Sequence, residues 1–264
     1  MLEIYKFTSM STPCEVQLYC DDKSLSDNCI KEIMGECKRL ELKYNFYDKN
    51  SYLSELNNRT TNLLDSETKS LLSIAKQYYK KTNTIFDITI ATINEDSTLK
   101  PHVGCDKFNI KKNKLYFTNK YTKIDLGGFV KEYSVNQAIK IIKKYKIKSA
   151  LVNFGGDIYA HGTKPNGNKY SIAITNPKNN EEVLFNIDIC NQALTTSALY
   201  ERSGHIKTLD SLDDEVLSVT VVSNCVIKSG VYSTSYMIKN DIKVLAEVYI
   251  INKDLEVIKI WKYY

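Results

Sequence analysis

Between residues 123 and 145 the chain reads KIDLGGFVKEYSVNQAIKIIKKY. An acid (Asp125), two adjacent glycines (Gly127 and Gly128) and a lysine (Lys131) stand where an apolar strand gives way to an amphipathic helix. Adjacent glycines let the backbone turn tightly and approach another group closely, and a helix start presents unpaired N–H groups to an anion such as a phosphate. A plain strand-to-helix connection explains the same residues without a ligand. A second pair, Gly155-Gly156, follows Asn153 and precedes Asp157 at the end of an apolar run, where a hairpin turn accounts for it equally well. Thr196, Ser197, Tyr200 and His205 lie in ALTTSALYERSGHI, and Ser233 and Thr234 in SGVYST. Hydroxyls at a helix start ordinarily cap it, and a lone histidine is ordinarily a satisfied loop or core residue.

The elements that must position these groups follow from periodicity. Strand-like runs at 2–7 and 14–20 flank a polar turn. A helix begins near Ser26, with Ile30, Ile33, Met34, Cys37 and Leu40 on one face. A second starts with Ser66 as its cap and buries Leu71, Leu72, Ile74, Ala75 and Tyr78. A third starts at the first glycine pair and turns Val135, Ala138, Ile141, Ile142 and Tyr145 inward. From Ser149 short strands dominate, at 149–154, 170–175, 183–189, 216–223, 244–251 and 255–261, with a helical patch near 229–239. This mixture predicts an α+β protein, a single domain over 1–264, with no internal repeat, low-complexity stretch or linker.

Composition sets the class. At 264 residues, 43% hydrophobic and 25% charged, the chain has enough apolar residues for a sizeable core, which argues against disorder. The net charge of +5 is spread along the chain, and no basic run is interleaved with aromatics, so no nucleic-acid partner is expected. Seven cysteines without a C-x-x-C pair, beside three histidines, argue for reduced thiols over a zinc site or a disulfide framework. The N-terminus MLEIYKFTSMS has no export-signal pattern and no apolar run is long enough to span a bilayer. A cytoplasmic location is expected for the chain as it reads; a periplasmic or membrane-anchored one follows if a leader has been removed.

Taken in order, the motifs resemble those of one family, the ApbE-type FAD:protein FMN transferases. MSTPCEV (10–16) resembles its Met-Gly-Thr turn, FYDKNSYLSELN (46–57) its Tyr-x-x-x-Ser-x-x-Ser-x-Leu-Asn segment, and FDITIA (86–91) its Phe-Asp-x-Thr stretch. The opening motif is similar to Asp-Leu-Gly-Gly-x-x-Lys, and LVNFGGDIYAHG to Asn-x-Gly-Gly-Asp. TTSALYER resembles a variant of Thr-Ser-Gly-Asp-Tyr-Glu-Arg, HI (205–206) the start of His-Ile-x-Asp-Pro, and SGVYST (229–234) stands where the family has Ala-Asp-Ala-x-Ser-Thr.

The resemblance implies an ApbE-like, T-fold-related α+β fold in two lobes, with the flavin nucleotide bound between them. It implies FAD as substrate, Mg²⁺ as cofactor, and transfer of FMN to a threonine or serine hydroxyl of an acceptor flavoprotein with release of AMP. FAD hydrolysis to FMN and AMP is the alternative chemistry, and a degenerate flavin- or partner-binding module the alternative class. By the same resemblance Lys131, Thr234 and Asp125 are catalytic, and Val130 (through its carbonyl) and Thr234 hold the metal. Met10, Tyr47, Gly127, Gly128, Lys131, Asn153, Gly155, Gly156, Asp157, Thr196, Ser197, His205 and Ile206 line the nucleotide pocket. The departures fall on the metal. The family's metal-binding aspartate is Gly230 here, and the glycine after its motif lysine is Glu132. The helix's usual acid is Asn136, and Ala198 and Leu199 replace a Gly-Asp pair. Glu132 replacing the lost carboxylate from another direction, or Asp210, Asp213 or Asp214 reaching in, are the open alternatives.

Overall fold

The runs LEIYKFTS and TPCEVQLY form β1 (Leu2–Ser9) and β2 (Thr12–Tyr19), a hairpin in which alternate side chains of β2 are buried. Its two turn residues, Met10 and Ser11, both carry positive φ, 51° and 55°. That geometry matches the twist of paired strands but is normally left to Gly, Asn or Asp, so a methionine is held in an unfavourable conformation at the hairpin tip. The computed structural model describes residues 1–94, 96–198, 209, 215–239, 242 and 246–261.

Helix α1 (Lys23–Tyr44) starts ahead of Ser26 because Asp22 caps it, accepting the Leu25 N–H at 3.0 Å. After the short α2 (Tyr52–Asn57) comes α3 (Ser66–Lys81), capped by Asp65 rather than by Ser66, which is its first helical residue. An aspartate side chain accepts the exposed N–H groups as well as a serine does and adds charge at the positive end of the helix. Three 3₁₀ turns between Ile90 and Lys107 lead into the hairpin β3 (Phe108–Lys111) and β4 (Lys114–Phe117). Then follow α4 (Gly127–Lys144), β5 (Ser149–Phe154), β6 (Asp157–His161), β7 (Tyr170–Asn176), β8 (Asn179–Ile189) and β9 (Gln192–Ala198). The chain continues through β10 (Val216–Ser223), α5 (Val226–Ile238), β11 (Glu247–Asn252) and β12 (Val257–Trp261).

Eight strands make one antiparallel sheet in the order β1-β2-β5-β6-β9-β10-β11-β12. Helices α1 and α4 cover one face through Val16, Leu18, Ile33, Val135, Val152 and Phe154. Helix α5 covers β10 and β11 beside them through Val219, Val221, Tyr236 and Val248. The β7–β8 hairpin packs on the opposite face, Ile172, Ile174 and Ile187 against Ile158, Leu194 and Tyr249. The period of two thus splits β9 and β6: Ala193 and Asp157 turn toward the helices, Leu194 and Ile158 toward the hairpin.

A smaller lobe, α2, α3, the 3₁₀ turns and β3–β4, packs around Leu53, Leu56, Leu71, Leu72 and Phe108. Its core also takes Leu40 from α1, Phe129 and Val130 from α4 and Val231 from α5. Phe86 and Phe129 meet across this junction with ring centroids 5.9 Å apart, a contact worth on the order of 1 kcal/mol beyond its buried area. The helix entrance at Gly127 therefore sits at the seam between the lobes.

Candidate active site

A cavity of about 500 Å³ opens at that seam. Met10 and Ser11 of the first hairpin, Phe46 and Tyr47 after α1, and Phe86 to Ile88 form one side. Asp125 to Glu132 without Leu126, Gly155, Asp157, β9 from Thr195 to Ala198, and Thr234 of α5 form the other.

The entrance of α4 is bare backbone. No side chain caps it; instead Asp125 Oδ1 accepts the Gly127 N–H at 2.8 Å, and the N–H groups of Phe129 and Val130 return to the Leu126 carbonyl. Gly128 lies outside helical geometry (φ −83°, ψ 17°), and a Cβ added there would meet nothing within 4 Å. A ligand can therefore approach the backbone closely at Gly128. One turn on, Lys131 Nζ lies 2.9 Å from Asp157 Oδ2, joining α4 to the start of β6.

Glu132, the next residue, is 6% exposed, and its carboxyl group covers Gly230 of α5. A Cβ at position 230 would stand 2.6 Å from Glu132 Oε1 and 2.7 Å from its Cγ. Glu132 Oε2 is buried without a hydrogen-bond partner. Burial, and then the negative charge of Asp157, push this carboxyl well above the usual range, against the opposing pull of Lys131.

Ser233 and Thr234 lie inside α5, not at its start, so the capping expected of them does not occur. Ser233 Oγ donates to the Gly230 carbonyl (3.0 Å) and shares a hydrogen bond with Ser197 Oγ (2.8 Å); Thr234 Oγ1 is 3.3 Å from Ser197 Oγ. The threonine hydroxyl is thus held on the cavity side of the helix.

Of the residues singled out in the sequence, Met10, Tyr47, Asp125, Gly127, Gly128, Val130, Lys131, Gly155, Asp157, Thr196, Ser197 and Thr234 meet around this cavity. Thr196 turns its hydroxyl to Thr220 (2.9 Å), on the hairpin side of the sheet, and leaves only its backbone to the cavity. Asn153 and Gly156 line a shallower depression with Lys6 and Glu15. Asn153 Oδ1 accepts the Gly156 N–H at 2.9 Å and so shapes the β5–β6 turn, which is the hairpin alternative for this glycine pair. His205, Ile206, Tyr200, Leu199, Asp210, Asp213 and Asp214 lie outside the described residues.

Glu41, Asp87 and Thr195 also line the cavity, the last two within the FDITIA and TTSALYER stretches. Glu41 Oε1 accepts the Met10 N–H at 3.2 Å and steadies the strained hairpin tip. Asp87 accepts from Thr89 N–H, Thr89 Oγ1 and Cys105 Sγ, and burial raises its pKa. This is the Asp-x-Thr of the FDITIA stretch, a spacing suited to such a turn. Thr195 Oγ1, buried without a hydrogen-bond partner, faces the helices beside Asp157. Among the described residues no cluster of three or more His, Cys, Asp or Glu side chains forms. A cation held here would rest on few protein ligands, in the manner of Mg²⁺, which shares its coordination with substrate phosphates and water.

A model of the ApbE family matches residues 10–258. The FAD:protein FMN transferase of Buchnera aphidicola is 24% identical over 228 residues, covering 73% of this chain and 67% of that protein. The FAD:protein FMN transferase of Haemophilus influenzae is 25% identical over 64% of this chain and 57% of its own length. Among solved structures, the ApbE protein of Thermotoga maritima superposes with a TM-score of 0.86 at 20% identity, over 98% of this chain and 97% of that one. The flavin transferase ApbE of Vibrio cholerae does so with a TM-score of 0.83 at 19% identity, over 98% and 96%. The two-lobed α+β fold is accordingly that of the solved ApbE structures, and, with the family model spanning nearly its whole length, the chain belongs to the ApbE family.

Proposed function

We propose that this protein is an FAD:protein FMN transferase, moving FMN from FAD to a threonine or serine hydroxyl of an acceptor flavoprotein and releasing AMP. The observation that carries the reading is the entrance of α4: bare glycine backbone, Asp125 and the Lys131–Asp157 pair converge on one cavity between the lobes. In the reaction the acceptor oxygen forms a bond to the FMN-side phosphorus, the bridging P–O bond breaks, and AMP leaves with the bridging oxygen. The hydroxyl proton passes to a carboxylate, a role we assign to Asp125. Lys131 and the open backbone at Gly128 bind the diphosphate, and the exposed Tyr47 offers its ring to the flavin at the cavity mouth.

The buried, unpartnered Glu132 Oε2 and the Thr234 hydroxyl are oxygen donors of the type a hard divalent cation takes, so the residues present fit Mg²⁺, with the Val130 carbonyl as a third donor. When bound, Mg²⁺ neutralises charge on the diphosphate and the departing AMP.

The test is incubation of the purified protein with FAD, Mg²⁺ and a candidate acceptor domain, followed by denaturing electrophoresis. Flavin fluorescence that migrates with the acceptor, with stoichiometric AMP, is the expected result. AMP and free FMN without labelled acceptor would show hydrolysis instead, and FAD binding with no AMP would show a binding module.

A further inference from the structure

We infer that Glu132 of α4 supplies, from the opposite side, the charged ligand that a side chain at position 230 of α5 would otherwise supply. This rests on the transferase reading for the identity of the site but on separate observations for the residue.

The exchange is written in the packing. Position 230 has no side chain, and the space where its Cβ would stand is filled by the Glu132 carboxyl group, Oε1 at 2.6 Å and Cγ at 2.7 Å. A glycine at 132 could not fill that space, and an aspartate at 230 could not share it with Glu132 unmoved. The two departures from the family pattern are therefore one change: a carboxylate leaves α5 and another arrives from α4 at the same place. Gly230 and Thr234 lie one helical turn apart on the same face of α5, so the displaced carboxylate still stands one turn from the threonine hydroxyl.

The alternative, a glutamate that merely fills volume, meets an energetic objection. A buried carboxyl oxygen with no hydrogen-bond partner is costly. An apolar side chain would fill the same space without that cost. A cation completes that oxygen in a way that an apolar side chain would not allow.

The experiment uses Mn²⁺ as the probe, titrated against the full chain with and without saturating FAD, with the free ion followed by electron paramagnetic resonance. Wild type is expected to bind Mn²⁺, and Glu132→Gln, which keeps shape and removes charge, to weaken it by about tenfold or more with FAD affinity in the absence of metal retained. Glu132→Gly combined with Gly230→Asp is expected to restore Mn²⁺ affinity. Should Glu132→Gln fail to fold, Glu132→Met, which fills the same space without a carboxyl group, takes its place, and Mn²⁺ binding by it as by wild type overturns the inference. Wild type without Mn²⁺ affinity, or Glu132→Gln binding Mn²⁺ as wild type does, overturns the inference. A wild type that loses Mn²⁺ affinity on Glu132→Gln yet transfers no FMN overturns the transferase reading and leaves the cation site standing.

Discussion

Lys131 Nζ and Asp157 Oδ2 lie 2.9 Å apart, the lysine 17% and the aspartate 3% exposed, bridging the start of α4 to the strand after the second glycine pair. Removing one partner of a buried pair strands the other charge in a low-dielectric site. Lys131→Met is expected to lower stability by about 3 kcal/mol and to reduce FAD affinity as well. Asp157→Asn, which retains a hydrogen-bonding group, should cost less. Urea denaturation at neutral pH, with flavin titration of the same samples, reads both; a Lys131→Met variant as stable as wild type would show that the pair is not what holds Asp157.

The two glycine pairs are expected to behave differently on substitution. Gly128 has φ −83° and open space where a Cβ would stand, so Gly128→Ala should keep its melting temperature and lose FAD affinity if the backbone there meets the diphosphate. Gly156 has φ +89°, a conformation that L side chains avoid. Gly156→Ala should lose about 1–2 kcal/mol of stability with or without ligand. Thermal melts with and without FAD separate the two effects.

Tyr47 is 80% exposed beside Phe46, ring centroids 5.4 Å apart, at the mouth of the cavity. A side chain so exposed contributes little to folding, so Tyr47→Ala should leave stability unchanged. Loss of a stacking surface for the flavin should weaken FAD by about 1 kcal/mol. Tyr47→Trp supplies a reporter, and FAD should quench its emission; no quenching at saturation would place the flavin elsewhere.

Acid stability should depend on Glu67. Burial would raise its carboxyl, but hydrogen bonds from Arg39 (2.6 Å) and Lys43 (2.7 Å) outweigh it and draw the pKa from its ordinary 4.5 down to about 2. A carboxylate more acidic in the folded chain than in the unfolded one stabilises the fold above pH 4.5, and that contribution disappears as pH falls toward 2. Glu67→Gln should therefore lower stability at pH 7 and flatten the fall between pH 4.5 and 2, as read from urea midpoints across that range.

Much of the architecture was legible because its signals are local. The alternation in LEIYKFTS, the apolar run VLSVTVVS, and the apolar stripes of α1, α3 and α4 depend on residues a few positions apart. The hairpin β3–β4, outside the strands expected from the sequence, also has such a signal in FNIK and KLYF around Lys112-Asn113; Lys112 adopts the positive φ of 54° that such a tight turn demands. Strands β6 and β9 lie outside the strands expected from the sequence, since DIYAH and QALTTSA carry polar residues that face the cavity or a cross-strand hydroxyl.

What the amino-acid order determined by itself was the kind of protein: an α+β chain whose two glycine pairs, acid, lysine and hydroxyls follow the order of the ApbE family, now matched over residues 10–258. Tertiary structure decided which of those residues share a site. Asn153 and the Thr196 hydroxyl turn to the other side of the sheet because side chains alternate along a strand and register sets the face. The filling of the space over Gly230 by Glu132 was likewise beyond the sequence, where Glu132 was one of several acids able to replace a missing one. Their proximity belongs to the packing of α4 against α5, and no local pattern in either helix encodes the distance between two side chains that meet only when the helices do.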